Sequence, residues 1–192
     1  MKKITMIIVA IACVCLICGG FYFAIVNSED GKEKELTEVE KLIVKDLDND
    51  YPKTPREVIK LYNRIVTCYY DEDTTKEQLG DLVDQMVKLF DAELLLVNDR
   101  ETYYSSVATE VASYKNRGRY IAEAKVCDSN DVVYIDDKEK NDKVAYVTAS
   151  YFIREKNDFE KTYQEFVLRK DADGKWKLVT FYLIKGEDSD DE

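Results

Sequence analysis

Apolar positions follow three different rhythms along the chain. From Ile4 to Val26 they are continuous, reading ITMIIVAIACVCLICGGFYFAIV without a charged residue. From Val39 to Tyr114 they recur at steps of three and four, the spacing of one helix face. From Tyr120 to Lys185 they form extended runs separated by polar turns, the spacing of strands. At 1.5 Å rise per residue, the first run predicts a helix of about 34 Å, long enough to cross a hydrocarbon core of about 30 Å.

The helical stretch carries its own start signals. Thr37 and Glu40 form T-x-x-E, a capping box, ahead of Val39, Leu42, Ile43 and Leu47; this predicts a helix ending near Asp48, before Tyr51-Pro52. Thr54 caps the next helix, with Pro55 in its first turn and Glu57 completing a second box. Val58, Leu61, Tyr62, Ile65 and Tyr69 line one face of it. A further helix starts at Thr74 or Thr75 and carries Leu79, Leu82, Val83, Met86, Leu89 and Phe90 on towards Leu95. Asn98 with Glu101 caps another, which carries Tyr104, Val107, Val111 and Tyr114 and stops at Gly118.

The extended stretch predicts five strands: Tyr120 to Cys127, Val132 to Ile135, Lys143 to Arg154, Lys161 to Lys170 and Lys175 to Lys185. Asp128 to Asp131 reads as a turn and Asp136 to Asp142 as a charged loop. Asp171-Ala172-Asp173-Gly174 between two apolar runs is a hairpin signal. Strict alternation in the last strand places Trp176, Leu178, Tyr182 and Ile184 on one face and Val179, Phe181 and Leu183 on the other. Both faces are then apolar, which predicts cover on both: the helices on one and, on the other, the Thr37 helix, sheet curvature or another subunit, the last a protein partner or homodimer through the sheet face.

Three other readings of Ile4 to Val26 fit less well. A cleaved signal has an apolar core of about 7–15 residues and small residues before the cut. This run is longer, and Val26 precedes Asn27. A lipoprotein signal needs a small residue before its cysteine; Ile17 before Cys18 is too large, and the chain stays apolar after Ala12-Cys13. A buried core helix would be amphipathic, and this run is apolar all round. Lys2 and Lys3 precede the run and place the N-terminus in the cytoplasm, with the rest extracellular. The domain plan is therefore residues 1–26 as cytoplasmic stub and single-pass anchor and 27–36 as tether. Residues 37–186 form one extracytoplasmic α+β domain, and 187–192 (EDSDDE) an acidic disordered tail.

Composition narrows the chemistry. With 39 acidic against 28 basic residues in a chain of 192, the net charge of −11 argues against nucleic acid as a partner. Histidine is absent, which removes the commonest general base and the commonest transition-metal ligand. Of five cysteines only Cys68 and Cys127 lie beyond the apolar run, too few for a disulfide framework or a zinc site. Their predicted side-chain directions diverge, which disfavours a bond between them. The acidic pairs at Asp136-Asp137 and Asp171 to Asp173 do not match a calcium loop. No phosphate-binding glycine loop or nucleophile elbow appears. No metal, cofactor or catalytic residue is expected. The candidate pocket lining is Tyr62, Tyr146, Tyr151, Tyr163, Glu165 and Phe166, with Glu165 the carboxylate to watch. For the tyrosines the competing reading is ordinary core and strand packing, and for Glu165 an exposed side chain.

The order of helices followed by five antiparallel strands is similar to the cone-shaped fold of the nuclear transport factor 2-like superfamily, which includes ketosteroid isomerase and polyketide cyclases. At finer grain, YPKTPREVIKLYNRI (Tyr51 to Ile65) and KTYQEFVLRKDADGKWKL (Lys161 to Leu178) resemble a family of uncharacterised membrane-anchored bacterial proteins from Gram-positive anaerobes. The resemblance implies helices packed into a curved sheet and carries no activity with it, since the cone hosts enzymes, binders and scaffolds. The expectation is a membrane-anchored binding or interaction domain without catalysis. The alternatives are a scaffold of an envelope or secretion assembly and an isomerase or dehydratase of the cone fold.

Overall fold

The computed structural model describes residues 35–71, 73–137 and 142–186. Two units are distinguished, Met1–Leu36 and Thr37–Glu192. The apolar run Ile4–Val26, the tether up to Lys34 and the acidic tail 187–192 lie outside the described residues. Among the described residues no helix is long and apolar enough to cross a membrane.

The second unit is a layer of helices on one antiparallel sheet. Helix α1 spans Glu38–Ile43, α2 Pro55–Tyr69, α3 Lys76–Val87, α4 Ala92–Val97 and α5 Arg100–Arg117. Three of the starts are capping boxes: Thr37 with Glu40, Thr54 with Glu57, and Thr75 with Gln78. Each closes orphan N–H groups of a first turn and contributes about 1 kcal/mol. The cap of α5 is Asp99 rather than Asn98, its Oδ1 accepting from Glu101 and Thr102 N–H at 3.0 and 2.9 Å.

Two helices end earlier than periodicity predicts. Helix α1 stops at Ile43 instead of near Asp48, because the buried Gln85 of α3 donates to the carbonyls of both Ile43 and Lys45. The predicted helix through Leu95 breaks into α3 and α4. At the break, Leu178 N–H donates to Leu89 C=O and Asp91 N–H donates to Leu178 C=O, both at 2.8 Å. Leaving the helix lets residues 89–91 cover the free edge of the last strand, where unpaired backbone groups would otherwise face outward. Asp91 then caps α4 and pairs with Arg169 at 2.6 Å.

The strands are β1 Arg119–Val126, β2 Val133–Asp137, β3 Asp142–Glu155, β4 Asp158–Lys170 and β5 Trp176–Ile184. Strands β3, β4 and β5 are neighbours in that order, while β1 and β2 share the other edge of β3. β1 meets its C-terminal half and β2 its N-terminal end. A short 3-10 turn, Ser129–Asp131, lies between β1 and β2. The β3–β4 connection is the two-residue Lys156-Asn157, with Lys156 at a φ of 55°.

Alternation along β3 sorts the faces. Ala145, Val147, Ala149, Tyr151 and Ile153 are buried against the helices, and Phe166 and Leu168 of β4 lie beside them. In β5 the predicted faces are wrong beyond Leu178. A bulge at Val179 shifts the register, so that Leu178 pairs with Leu168 but Phe181 pairs with Phe166. Trp176, Leu178, Phe181 and Leu183 therefore share the helix face, and Thr180, Tyr182 and Ile184 take the outer one. One inserted residue inverts every later side chain.

Candidate functional site

Helices α2 and α5 do not close completely over the sheet. Between them and strands β1, β3, β4 and β5 lies a cavity of about 260 Å³. Six phenols line it: Tyr62 and Tyr69 from α2 with Tyr70 at its C-cap, Tyr103 and Tyr114 from α5, and Tyr151 from β3. Tyr62 and Tyr69 stand seven residues apart, and Tyr103 and Tyr114 eleven apart, about two and three helical turns. That spacing puts each pair on one face and is the sequence signal that would have found this wall.

The rings are locked by packing. Tyr62 meets Phe166 edge to face at 5.0 Å, Phe90 does the same with Tyr103 at 5.0 Å, and Tyr70 stacks on Tyr114 at 4.3 Å. Tyr151 Oη donates to Asn63 Oδ1 at 2.6 Å. Burial pushes the pKa of Tyr62, Tyr69, Tyr70, Tyr103 and Tyr151 well above the ordinary phenol value, and the neighbouring Glu110 carboxylate adds to this for Tyr70. All are neutral O–H groups in any physiological buffer. The Tyr69 hydroxyl is buried on this wall and makes no well-formed hydrogen bond with the described residues, although the Tyr103 phenol is close enough to raise its pKa. A buried hydroxyl without a partner costs roughly 1–3 kcal/mol, so such a group is a place where a bound molecule or a water would be stabilised.

The charge pattern of the wall is one-sided. Among the described residues, Glu110 of α5, exposed to solvent, is its only carboxylate, and no lysine or arginine lines it. Gln164 and Thr162 of β4 and Asn98 supply neutral polar groups. The nearest guanidinium placed by its contacts, Arg119, lies 4.9 Å from the Tyr114 ring centroid and is bound to Glu160 at 2.7 Å.

The sequence-predicted residues separate. Tyr62 and Tyr151 line the cavity, and Phe166 is fully buried behind Tyr62. Tyr146, Tyr163 and Glu165 lie on the opposite face of the sheet, in register with Val167, Ser150 and Thr148. There Glu165 accepts a short hydrogen bond from Tyr182, which raises the Tyr182 pKa. Glu165 is thus tied to an outer-face phenol and has no access to the cavity. Cys68 and Cys127 are both free thiols, and burial raises Cys68 to about 11, so it is inert at neutral pH. Among the described residues no cluster of three or more metal-ligating side chains occurs.

A larger depression, about 510 Å³, runs between α2 and β1. It is an open groove, and two of its cations are already engaged. Arg64 pairs with Glu38 at 2.7 Å, and Arg56 donates to Cys127 C=O at 2.6 Å. Each wall holds a buried polar atom with no well-formed hydrogen bond among the described residues, Asn63 Nδ2 at the groove and Tyr69 Oη at the cavity; the tyrosine cavity is the better site because its aromatic wall is the more enclosed.

These features define a mixed α+β domain whose helices and antiparallel sheet enclose a phenol-lined cavity. Residues 1–181 match the family described as Domain of unknown function (DUF6715), and the chain belongs to that family. No curated protein matches it.

Proposed function

We propose that the domain is a small-molecule receptor, held at the outer face of a membrane by the Ile4–Val26 run and binding its ligand without chemistry. The observation that carries the binding reading is the cavity itself: six phenols line it, and the Tyr69 hydroxyl is buried on its wall beside the Tyr103 phenol without a well-formed hydrogen bond among the described residues. The cavity suits capture better than catalysis. A general base needs a carboxylate or imidazole in a tuned, desolvated position. The chain has no histidine, and the one carboxylate on the wall is solvated. The layer of helices on an antiparallel sheet supports the cone-shaped fold of the nuclear transport factor 2-like superfamily. The address rests on the uncharged run and the two lysines before it.

The test is to purify the full chain from membranes in mild detergent and measure it by native mass spectrometry. A bound small molecule is expected, absent from Ser106→Trp, which fills the cavity from an exposed helical position. Identical bare masses for both proteins would remove the binding reading. Protease added to intact, wall-stripped cells should digest the domain; protection would overturn its outward orientation.

A second reading, a homodimer through the outer sheet face, draws on Val133, Ile135 and Phe159, which stand 55%, 47% and 69% exposed there. The same face carries Lys125 and Lys161 beside Glu123 and Glu165, so a two-fold pairing lets opposite charges meet. Light scattering of wild type against Phe159→Lys decides it: a dimer that becomes a monomer supports the contact, and a wild-type monomer removes it.

A further inference from the structure

We infer that the cavity selects an organic cation, a small alkylammonium whose charge meets Glu110 and whose methyl groups lie among the tyrosine rings. This rests on the binding reading above and adds the ligand's charge. Three observations carry it. First, among the described residues the wall holds one anion and no cation: Glu110 is present, and lysine and arginine are absent. A carboxylate ligand would enter against Glu110 and find no counter-charge. Second, the wall is aromatic where it is most enclosed. Tyr62, Tyr69, Tyr70 and Tyr151 are each at least nine-tenths buried. Aromatic faces attract ammonium ions electrostatically, and most strongly where water is excluded. Third, the Tyr69 hydroxyl, beside the Tyr103 phenol on this wall, makes no well-formed hydrogen bond among the described residues and has lone pairs to offer a polarised N–H or N–CH₃ group.

Size narrows the class. A volume of about 260 Å³ lies just under the range of about 300–1,000 Å³ usual for drug-sized ligands, so a lipid or nucleotide does not fit inside. A trimethylammonium or a short primary amine does. Neutral phenols can also donate to an anion, and that rival chemistry is separated by charge alone. The chain's net charge of −11 works in the same direction as Glu110, concentrating cations near the domain.

The experiment holds shape constant and varies charge. Titration calorimetry on the full chain in mild detergent compares choline with its neutral isostere 3,3-dimethyl-1-butanol and its anionic near-isostere 3,3-dimethylbutyrate. Choline is expected to bind about threefold to thirtyfold more tightly than the neutral alcohol, the range that cation–π contacts supply. Butyrate should bind most weakly. Glu110→Gln should weaken choline several-fold and leave the alcohol unchanged. Because Glu110 is solvent-exposed, that variant keeps the fold. Alcohol or butyrate binding as tightly as choline overturns the assignment, as does Glu110→Gln without effect on choline. If none of the three binds while a co-purified molecule is still displaced by Ser106→Trp, the charge assignment fails and the receptor reading stands.

Discussion

The hydroxyl of Tyr151 donates to the side-chain oxygen of Asn63 at 2.6 Å, joining the middle of β3 to the middle of α2 inside the core. Both residues are buried, and the Asn63 amide nitrogen has no partner among the described residues. The Asn63 side chain thus rests on a single good bond. Removing the hydroxyl with Tyr151→Phe leaves the whole amide unsatisfied and should cost about 1–3 kcal/mol. The double variant Tyr151→Phe, Asn63→Leu should recover part of that loss, because both polar groups are then gone. Urea unfolding monitored by circular dichroism measures all three proteins; strictly additive losses would show that the pair does not act as a unit.

The buried phenols make a distinct forecast for alkaline pH. Tyr62, Tyr69, Tyr70, Tyr103 and Tyr151 all have folded-state pKa values above the ordinary 10.0, chiefly through burial. A raised pKa means stability that is complete below pH 10 and is lost as pH climbs past it, since only the unfolded chain releases those protons. Absorbance at the phenolate band should therefore rise in two stages. The later stage belongs to the buried group, and its ionisation should coincide with loss of far-ultraviolet ellipticity. A single smooth rise with ellipticity intact would contradict the buried, neutral wall.

How far the chain announces this arrangement depends on the range of the interaction. Helix starts were legible because they are local: Thr37, Thr54 and Thr75 each find their partner three residues on. Helix ends were not, because distant groups make them. Gln85 takes the carbonyls that end α1, and Leu178 takes the backbone that ends α3. The strands and the β4–β5 hairpin were legible, while the order of the other pairings and the faces of β5 were not. The bulge at Val179 leaves no mark in a run of apolar residues. The same limit applies to the cavity. Tyr62 and Tyr151 were identified as candidate lining, but Tyr69, Tyr70, Tyr103 and Tyr114 join them only because α2 and α5 flank one end of the sheet. Tyr146, Tyr163 and Glu165 were grouped with them on chemistry, and strand parity places them on the far side.

Acid should act through the exposed carboxylates that hold element ends. Asp99 is lowered from 3.8 mainly by the N–H of Thr102 at the α5 cap, and Glu155 from 4.5 mainly by Arg117. A lowered folded-state pKa supplies stability that is present above the ordinary carboxylate range and lost as pH falls through it and below. Unfolding midpoints should hold steady from pH 7 to about 5 and decline below about 4. Asp99→Asn keeps a capping oxygen without the charge, so its decline should be shallower than that of the wild type. Equal slopes would show that the cap is not part of the acid response.

Gly118 ends α5 with a φ of 63°, a conformation that side chains resist. An added Cβ there meets nothing within 4 Å, so the cost of Gly118→Ala is backbone strain alone. A loss of about 1–2 kcal/mol is expected, with Gly118→Asn milder because asparagine tolerates the left-handed region. Thermal unfolding of the two variants reads the difference; alanine behaving like glycine would mean that the chain relaxes out of this turn.

The break between α3 and α4 concentrates several contacts on Asp91. Its backbone N–H bonds Leu178 C=O, its Oδ1 caps α4 through Glu93 N–H at 2.9 Å, and the same carboxylate pairs with Arg169. The Asp91 side chain is only 7% exposed, so its charge is nearly desolvated, while Arg169 also reaches Glu93 at 3.1 Å. Asp91→Ala removes cap and counter-charge together and should cost about 2–4 kcal/mol. Asp91→Asn keeps the cap and loses only the charge, so it should cost roughly half as much. Hydrogen exchange supplies the local readout: the Leu178 amide, which bonds Leu89, should lose protection in Asp91→Ala before the β3–β4 pairing does. If protection fell evenly across the sheet, the segment 89–91 would be a passive connection, and Asp91 would act on global stability alone.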